Sequence, residues 1–296
     1  MEETVSSAFN RFLQQPGRSH STKQKFRYKF KLFLEEHGRS PISTITAETI
    51  EAWFAFLEER KGYSEGHLAF HRSCHTTFWS WLGLDIVHVR RYSEIPAVII
   101  TASDQEIKKL LDTCNLMWAT IHQQRDAAII ALGTAGLRRS NIRLTRTSNT
   151  THALANPITA NGRSYYLLHT HGKENMTAVL DTQRATIIQR YLSNRPPTRH
   201  DRLFLNLNPD DSRYLEPLSN EGLIRARRHV CQAAGLRLIS FQQMRRWLGT
   251  KIARTNSIHV AAQALGHKSG ITVILNHYYN PDADQTRTAV LDAYLF

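Results

Sequence analysis

From Ala127 to Leu137 the chain reads "AAIIALGTAGL", an apolar, helix-like segment without a single charge, followed at once by Arg138 and Arg139. The segment leaves its helix through Gly136, the residue type that accepts the left-handed conformation at a helix end. Two adjacent cations at that exit answer one of two needs. They solvate a surface, or they hold a phosphate.

Charge favours a polyanion as partner. The 296 residues carry a formal net charge of +13 and a pI near 9.9. A protein this basic attracts nucleic acid or an acidic surface. The apolar share of 41% is enough for a real core, and the length suits two domains. The chain contains no apolar run long enough to span a membrane, and "MEETVSSAFNRFLQQ" has no basic and apolar leader, so a cytoplasmic protein is expected. Cys74, Cys114 and Cys231 are widely separated, as in a reducing compartment, and no disulfide framework is expected.

The first 84 residues read as helical. In "KQKFRYKFKLFLEEHG", Phe26, Phe30, Phe33 and Leu34 recur at helical spacing and Gly38 suits the C-terminal cap. Lys23, Lys25, Arg27, Lys29 and Lys31 fall in the same stretch with no acid among them, which predicts a phosphate-facing stripe. A second helix is expected after Thr46 and a third over "SEGHLAFHRSCHTTFWSWLGL", with Leu68, Phe78, Trp79 and Leu82 in the core. His67, His71 and His75 share a face at metal-ligand spacing, but no carboxylate or cysteine completes a set; surface histidines are expected and no metal site. Residues 85–102, interrupted by Pro96, read as a linker. Ser103 and Glu106 then have the spacing of a capping box. The second domain, residues 103–296, continues with helices, with "SYYLLHTH" and "MTAVLDT" as two strands joined by a tight turn at "GKEN".

Four stretches of this second part carry the functional argument: "TAGLRRSN", "THGKEN", "FQQMRRWLGT", and "LGH" followed eleven residues after its histidine by "YYNPD". Alone, each has an ordinary structural explanation. Together, in this order, they resemble the tyrosine recombinase (phage integrase) family. The resemblance spans the whole chain and implies a mainly α fold: a helical N-terminal core-binding domain that clamps DNA, and a C-terminal catalytic domain with a small antiparallel β-sheet.

The resemblance also implies roles. Arg138 and Arg245 hold the non-bridging oxygens of the scissile phosphate, His267 adds a donor, and Lys173 protonates the leaving 5′-oxygen. Tyr278, or alternatively Tyr279, attacks the phosphate and becomes linked to the 3′ end, which conserves the bond energy for rejoining without metal, ATP or cofactor. Arg139 and Arg246 would touch flanking phosphates. The implied partner is double-stranded DNA, bound by a homotetramer on two sites, with an accessory DNA-bending or directionality factor possible in such systems. The apolar tail "TAVLDAYLF", with Val290 and Tyr294 on one face, would be exchanged between subunits. The near absence of residues before the helical domain points to a simple recombinase without an arm-binding domain.

Three positions depart from the family pattern. Gln242 replaces a histidine and cannot exchange a proton. Arg246 replaces another histidine, and Asn141 replaces an acid that supports the pocket. The spacing from His267 to Tyr278 also requires an insertion of two residues. These departures keep open a catalytically degenerate DNA-binding protein of the same fold. A type IB topoisomerase or a telomere resolvase shares the chemistry and is a further alternative.

Overall fold

A computed structural model describes residues 2–84, 86, 89–92, 100–160, 162–171, 175–255 and 257–266; of Ala160 and Arg163 only the backbone is described. Lys173, His267, Tyr278, Tyr279 and the apolar tail lie outside the described residues. The chain forms two compact units, residues 1–97 and 98–296.

The first unit is a bundle of α1 (Val5–Gln14), α2 (His20–His37), α3 (Ala47–Glu59) and α4 (Glu65–Trp81). Polar residues start the first three of these: the Thr4, Ser19 and Thr46 hydroxyls each accept from a backbone N–H of the first turn. The core is aromatic. Phe9, Phe12, Phe26, Phe30 and Phe78 pack edge-on or tilted with ring centres 4.7–6.4 Å apart. Ile86, Val89 and Tyr92 belong to the same core. The Arg72 guanidinium anchors that segment by donating to the carbonyls of Ile86 and Val89.

Two expectations for this unit are corrected. His71 and His75 are 4% and 0% exposed, not surface residues. His75 stacks on Phe30 at 4.1 Å, and its Nδ1 accepts from the Trp79 indole. Burial pushes its pKa down to about 3, so it is a neutral core residue; burial likewise lowers His71, to about 4. Lys29 is also turned inward, at 3% exposure, with Nζ 4.4 Å over the Phe70 ring. Its position three after Phe26 and four before Phe33 puts it on the apolar stripe. Gly38 does cap α2, but with an ordinary right-handed backbone; a side chain there would collide with the Leu34 carbonyl and the Ser6 hydroxyl.

The second unit contains α5 (Asp104–Leu116), α6 (Ile121–Thr134), α7 (Arg139–Leu144) and α8 (Thr147–Ala155), followed by β1 (Ile158–Ala160), β2 (Arg163–Thr170) and β3 (Met176–Asp181). The helices α9 (Thr182–Asn194), α10 (Asn220–Ala233), α11 (Phe241–Thr255) and α12 (Ile258–Ala264) follow. The sheet is antiparallel in the order β1-β2-β3, one strand more than expected from the sequence. Ser103 and Glu106 form the expected reciprocal capping box. Helix α6 runs through the centre of the unit: every residue from Arg125 to Thr134 is buried. From Ala127 to Gly133 it is apolar on all sides and can only sit there, with α5, α9, α10 and α11 around it.

Candidate active site

The site is built at the C-terminal end of α6. Gly136 adopts φ +85°, and the backbone N–H groups of Gly136 and Leu137 donate back to Gly133 and Leu132. These two bonds close the helix in a Schellman motif. The turn delivers Arg138, which has extended backbone as the residue preceding α7. Two glycines let α11 come close. A Cβ on Gly133 would meet Phe241 at 2.8 Å and Met244 at 3.0 Å; one on Gly136 would meet Leu248 at 2.8 Å and Leu265 at 3.1 Å.

Helix α11 begins at a further capping box. The Ser240 hydroxyl accepts from the Gln243 N–H, and the Gln243 side chain accepts from the Ser240 N–H. Arg245, one turn later, is fully buried. Its Nη1 donates to the Gly136 carbonyl at 2.6 Å, and its Nη2 donates to the Leu265 carbonyl. The guanidinium thus ties the end of α6 to the end of α12.

Arg138 and Arg245 converge. Arg138 Nη1 lies 3.6 Å from the Met176 sulfur and Arg245 Nη1 lies 3.5 Å from the same atom. The two donor nitrogens are therefore within about 7 Å of each other, a span that the oxygens of one tetrahedral phosphate and its ester links can bridge. Met176 opens β3, three residues after Lys173 in sequence. No sequence signal pointed to Met176, which is 38 residues from Arg138 and 69 from Arg245.

Asn141, where the resemblance calls for an acid, is 1% exposed. Its amide donates to the Thr170 hydroxyl at 3.3 Å, and that hydroxyl donates to the Met176 carbonyl at 3.2 Å. An amide can serve here because a neutral hydroxyl is its partner. The chain of bonds links α7 to both long strands and fixes the backbone of Met176. Gln242 is exposed in the first turn of α11, three residues ahead of Arg245 and thus on the same side of the helix. Gly266, at φ +62°, closes α12 directly before His267.

The remaining cations fall in several places. Arg139 is exposed and Arg246 half-buried, the latter with a buried Nε that has no hydrogen-bond partner among the described residues. In the first unit Lys25, Arg27 and Lys31 are exposed and Lys23 is half-buried; Lys29 is not part of that surface. Among the described residues, no group of three histidine, cysteine or carboxylate side chains could hold a metal, and no helix is long and apolar enough to cross a membrane.

Comparison with protein-family models gives no match, and neither does comparison with curated protein sequences. Solved structures do match. The XerH site-specific recombinase bound to a palindromic difH substrate, in a post-cleavage complex, superposes with a TM-score of 0.71 at 14% identity. That match covers 96% of this chain and 84% of XerH. The chain has the fold of a DNA recombinase. The Tn1549 transposon integrase in complex with transposon right-end DNA gives 0.68 at 15% identity, over 99% of this chain and 100% of the integrase chain. A lambda integrase dimer bound to a COC′ core site gives 0.62 at 15% identity, over 93% and 77%. The mainly α architecture with a small antiparallel sheet agrees with the expectation from the sequence.

Proposed function

We propose that this chain is a tyrosine site-specific recombinase that cleaves and rejoins duplex DNA through a 3′-phosphotyrosyl intermediate. One observation carries the reading: Arg138 and the fully buried Arg245, 107 residues apart in sequence, point their Nη1 atoms at a single atom. A buried guanidinium held by backbone carbonyls is fixed before substrate arrives. Fixed donors aimed at one point stabilise the charge that develops on a phosphorane without reorganising. The likeness to recombinase and integrase structures solved with DNA supports duplex DNA as the substrate.

In this reading Arg138 and Arg245 bind the non-bridging oxygens and His267 contributes a third donor. The phenol of Tyr278, or of Tyr279, releases its proton to water and attacks phosphorus, forming the P–O bond to tyrosine as the bond to the 5′-oxygen breaks. Lys173 passes a proton to that leaving oxygen. Rejoining runs the same steps backward with a new 5′-hydroxyl. The first unit, residues 1–97, clamps the duplex through Lys23, Lys25, Arg27 and Lys31, while Arg139 and Arg246 meet flanking phosphates. Four copies act on two sites, with the apolar tail exchanged between neighbours and accessory factors setting direction.

The test is a covalent-adduct assay. The full chain is incubated in EDTA with nicked suicide duplexes from the DNA that flanks its coding sequence. The expected result is a denaturation-resistant protein–DNA band, lost in Tyr278→Phe or in Tyr279→Phe alone. Tight, salt-sensitive binding with no band would establish the DNA-binding, non-catalytic alternative.

A further inference from the structure

We propose that Met176 is an occluding residue: its thioether stands where a phosphate oxygen is bound, and it keeps the arginine pocket closed until duplex DNA displaces it. The inference rests on the reading of Arg138 and Arg245 as the phosphate-binding pair. Its geometric basis is the shared approach of both Nη1 atoms to the Met176 sulfur, at 3.6 and 3.5 Å, in a side chain that is 6% exposed.

A thioether is a weak acceptor for a guanidinium. An anionic oxygen makes much stronger, charge-assisted bonds with the same donors. The sulfur therefore keeps the two cations convergent without binding them tightly, and it loses to a phosphate presented at the right place. Met176 can leave without unfolding the strand. Its carbonyl is held by Thr170, which is held by Asn141, so the backbone stays while an unbranched side chain with three rotatable bonds changes rotamer. Among the described residues, Arg245 also donates to the backbone carbonyls of Gly136 and Leu265, which have no such freedom. Free phosphate lacks the many other contacts that a duplex makes, so the closed pocket discriminates against it.

Binding of inorganic phosphate, measured by calorimetry without DNA, tests this. Met176→Ala and Met176→Val both shorten the side chain, and Val also suits a strand. Either variant, shown folded by a cooperative thermal transition, should bind phosphate about tenfold or more tightly than wild type, the gain expected from one freed charge-assisted bond. Met176→Leu, which keeps the bulk, should bind as weakly as wild type. Adding Arg138→Ala to Met176→Ala should abolish the gain. Equal binding by wild type and the shortened variants, or a gain that survives loss of Arg138, would overturn the inference.

A second measurement needs no shortened variant. In wild-type protein labelled with 13C at the methionine methyls, the Met176 signal, assigned by its loss in Met176→Leu, should shift on adding duplex DNA. No shift with DNA bound would also overturn it. A phosphate gain without any covalent adduct would leave the occlusion standing and remove the recombinase reading. An adduct without the gain would do the reverse.

Discussion

Arg138 and Arg245 have the same proposed chemical role but opposite structural weight, and their alanine variants should separate accordingly. Arg245→Ala removes the donors that satisfy the Gly136 and Leu265 carbonyls and leaves a void beneath α6. Each buried acceptor left unpaired costs about 1–3 kcal/mol, partly offset by no longer burying a cation, for a net loss of about 3 kcal/mol. In a unit the size of residues 98–296, that lowers Tm by about 6–12 °C. Arg138 is only half-buried, and its loss should cost less than about 1 kcal/mol, or under about 4 °C. Differential scanning calorimetry of both variants gives the two shifts, and the adduct assay at 15 °C then compares their chemistry. Arg138→Ala should be fully folded and inactive, which assigns its defect to phosphate binding. Arg245→Lys should keep the charge but recover only part of the stability, since an ammonium cannot span both carbonyls. Equal Tm losses for the two alanine variants would refute the distinction between a structural and a solvent-accessible arginine.

Three further outcomes follow from particular residues. His75, with its pKa lowered to about 3 against about 6.5 unfolded, contributes stability that is complete above pH 6.5 and is lost as pH falls toward 3. The loss is about 1.4 kcal/mol per pH unit across that window, so the urea midpoint should fall less between pH 7 and 5 in His75→Phe than in wild type; equal falls would contradict a neutral buried imidazole. Gly136→Ala forces a side chain into the left-handed region and against Leu248, so it should cost about 1–3 kcal/mol and reduce adduct formation by displacing Arg138. An active, fully stable variant would refute that role for the turn. Lys173→Ala should slow cleavage, and a 5′-bridging phosphorothiolate, whose leaving group needs no proton, should restore the rate; no rescue would remove Lys173 from the acid role.

Much of this was legible in the sequence where one local rule decided the outcome. The Ser103–Glu106 box, the apolar helix before Gly136 and the aromatic stripe of α2 follow from spacing alone, while Arg138 and Arg245 stand out as candidates only through the order of the motifs. At Lys29 and His75 residue type and helix position conflict, and position decides: both are buried. Both lie on apolar stripes, Phe26-Lys29-Phe30-Phe33 at i, i+3, i+4, i+7 and Leu68-His71-His75-Phe78 at i, i+3, i+7, i+10, whose helical spacing outweighs polarity once the aliphatic stem or the ring can pack. The extra strand, β1, is three residues long and pairs with the adjacent β2, Ile158 opposite Tyr165; the "NG" at 161–162 is a local hairpin signal for it, and only its short length hides the strand from propensity. Met176 and the Asn141–Thr170 link depend on tertiary approach of α7, β2, β3 and α11, for which a single chain gives no pairwise signal.

The central claim is the covalent intermediate, and its most direct test is chemical identification of the link. The adduct from a suicide duplex would be trimmed with nuclease and trypsin and sequenced by tandem mass spectrometry. The expected product is a 3′-phosphonucleotide esterified to the phenol of Tyr278, or of its neighbour Tyr279, in the peptide that contains "NHYYNPD". A nucleotide attached through its 5′ end, or to any residue outside that tyrosine pair, would contradict the account.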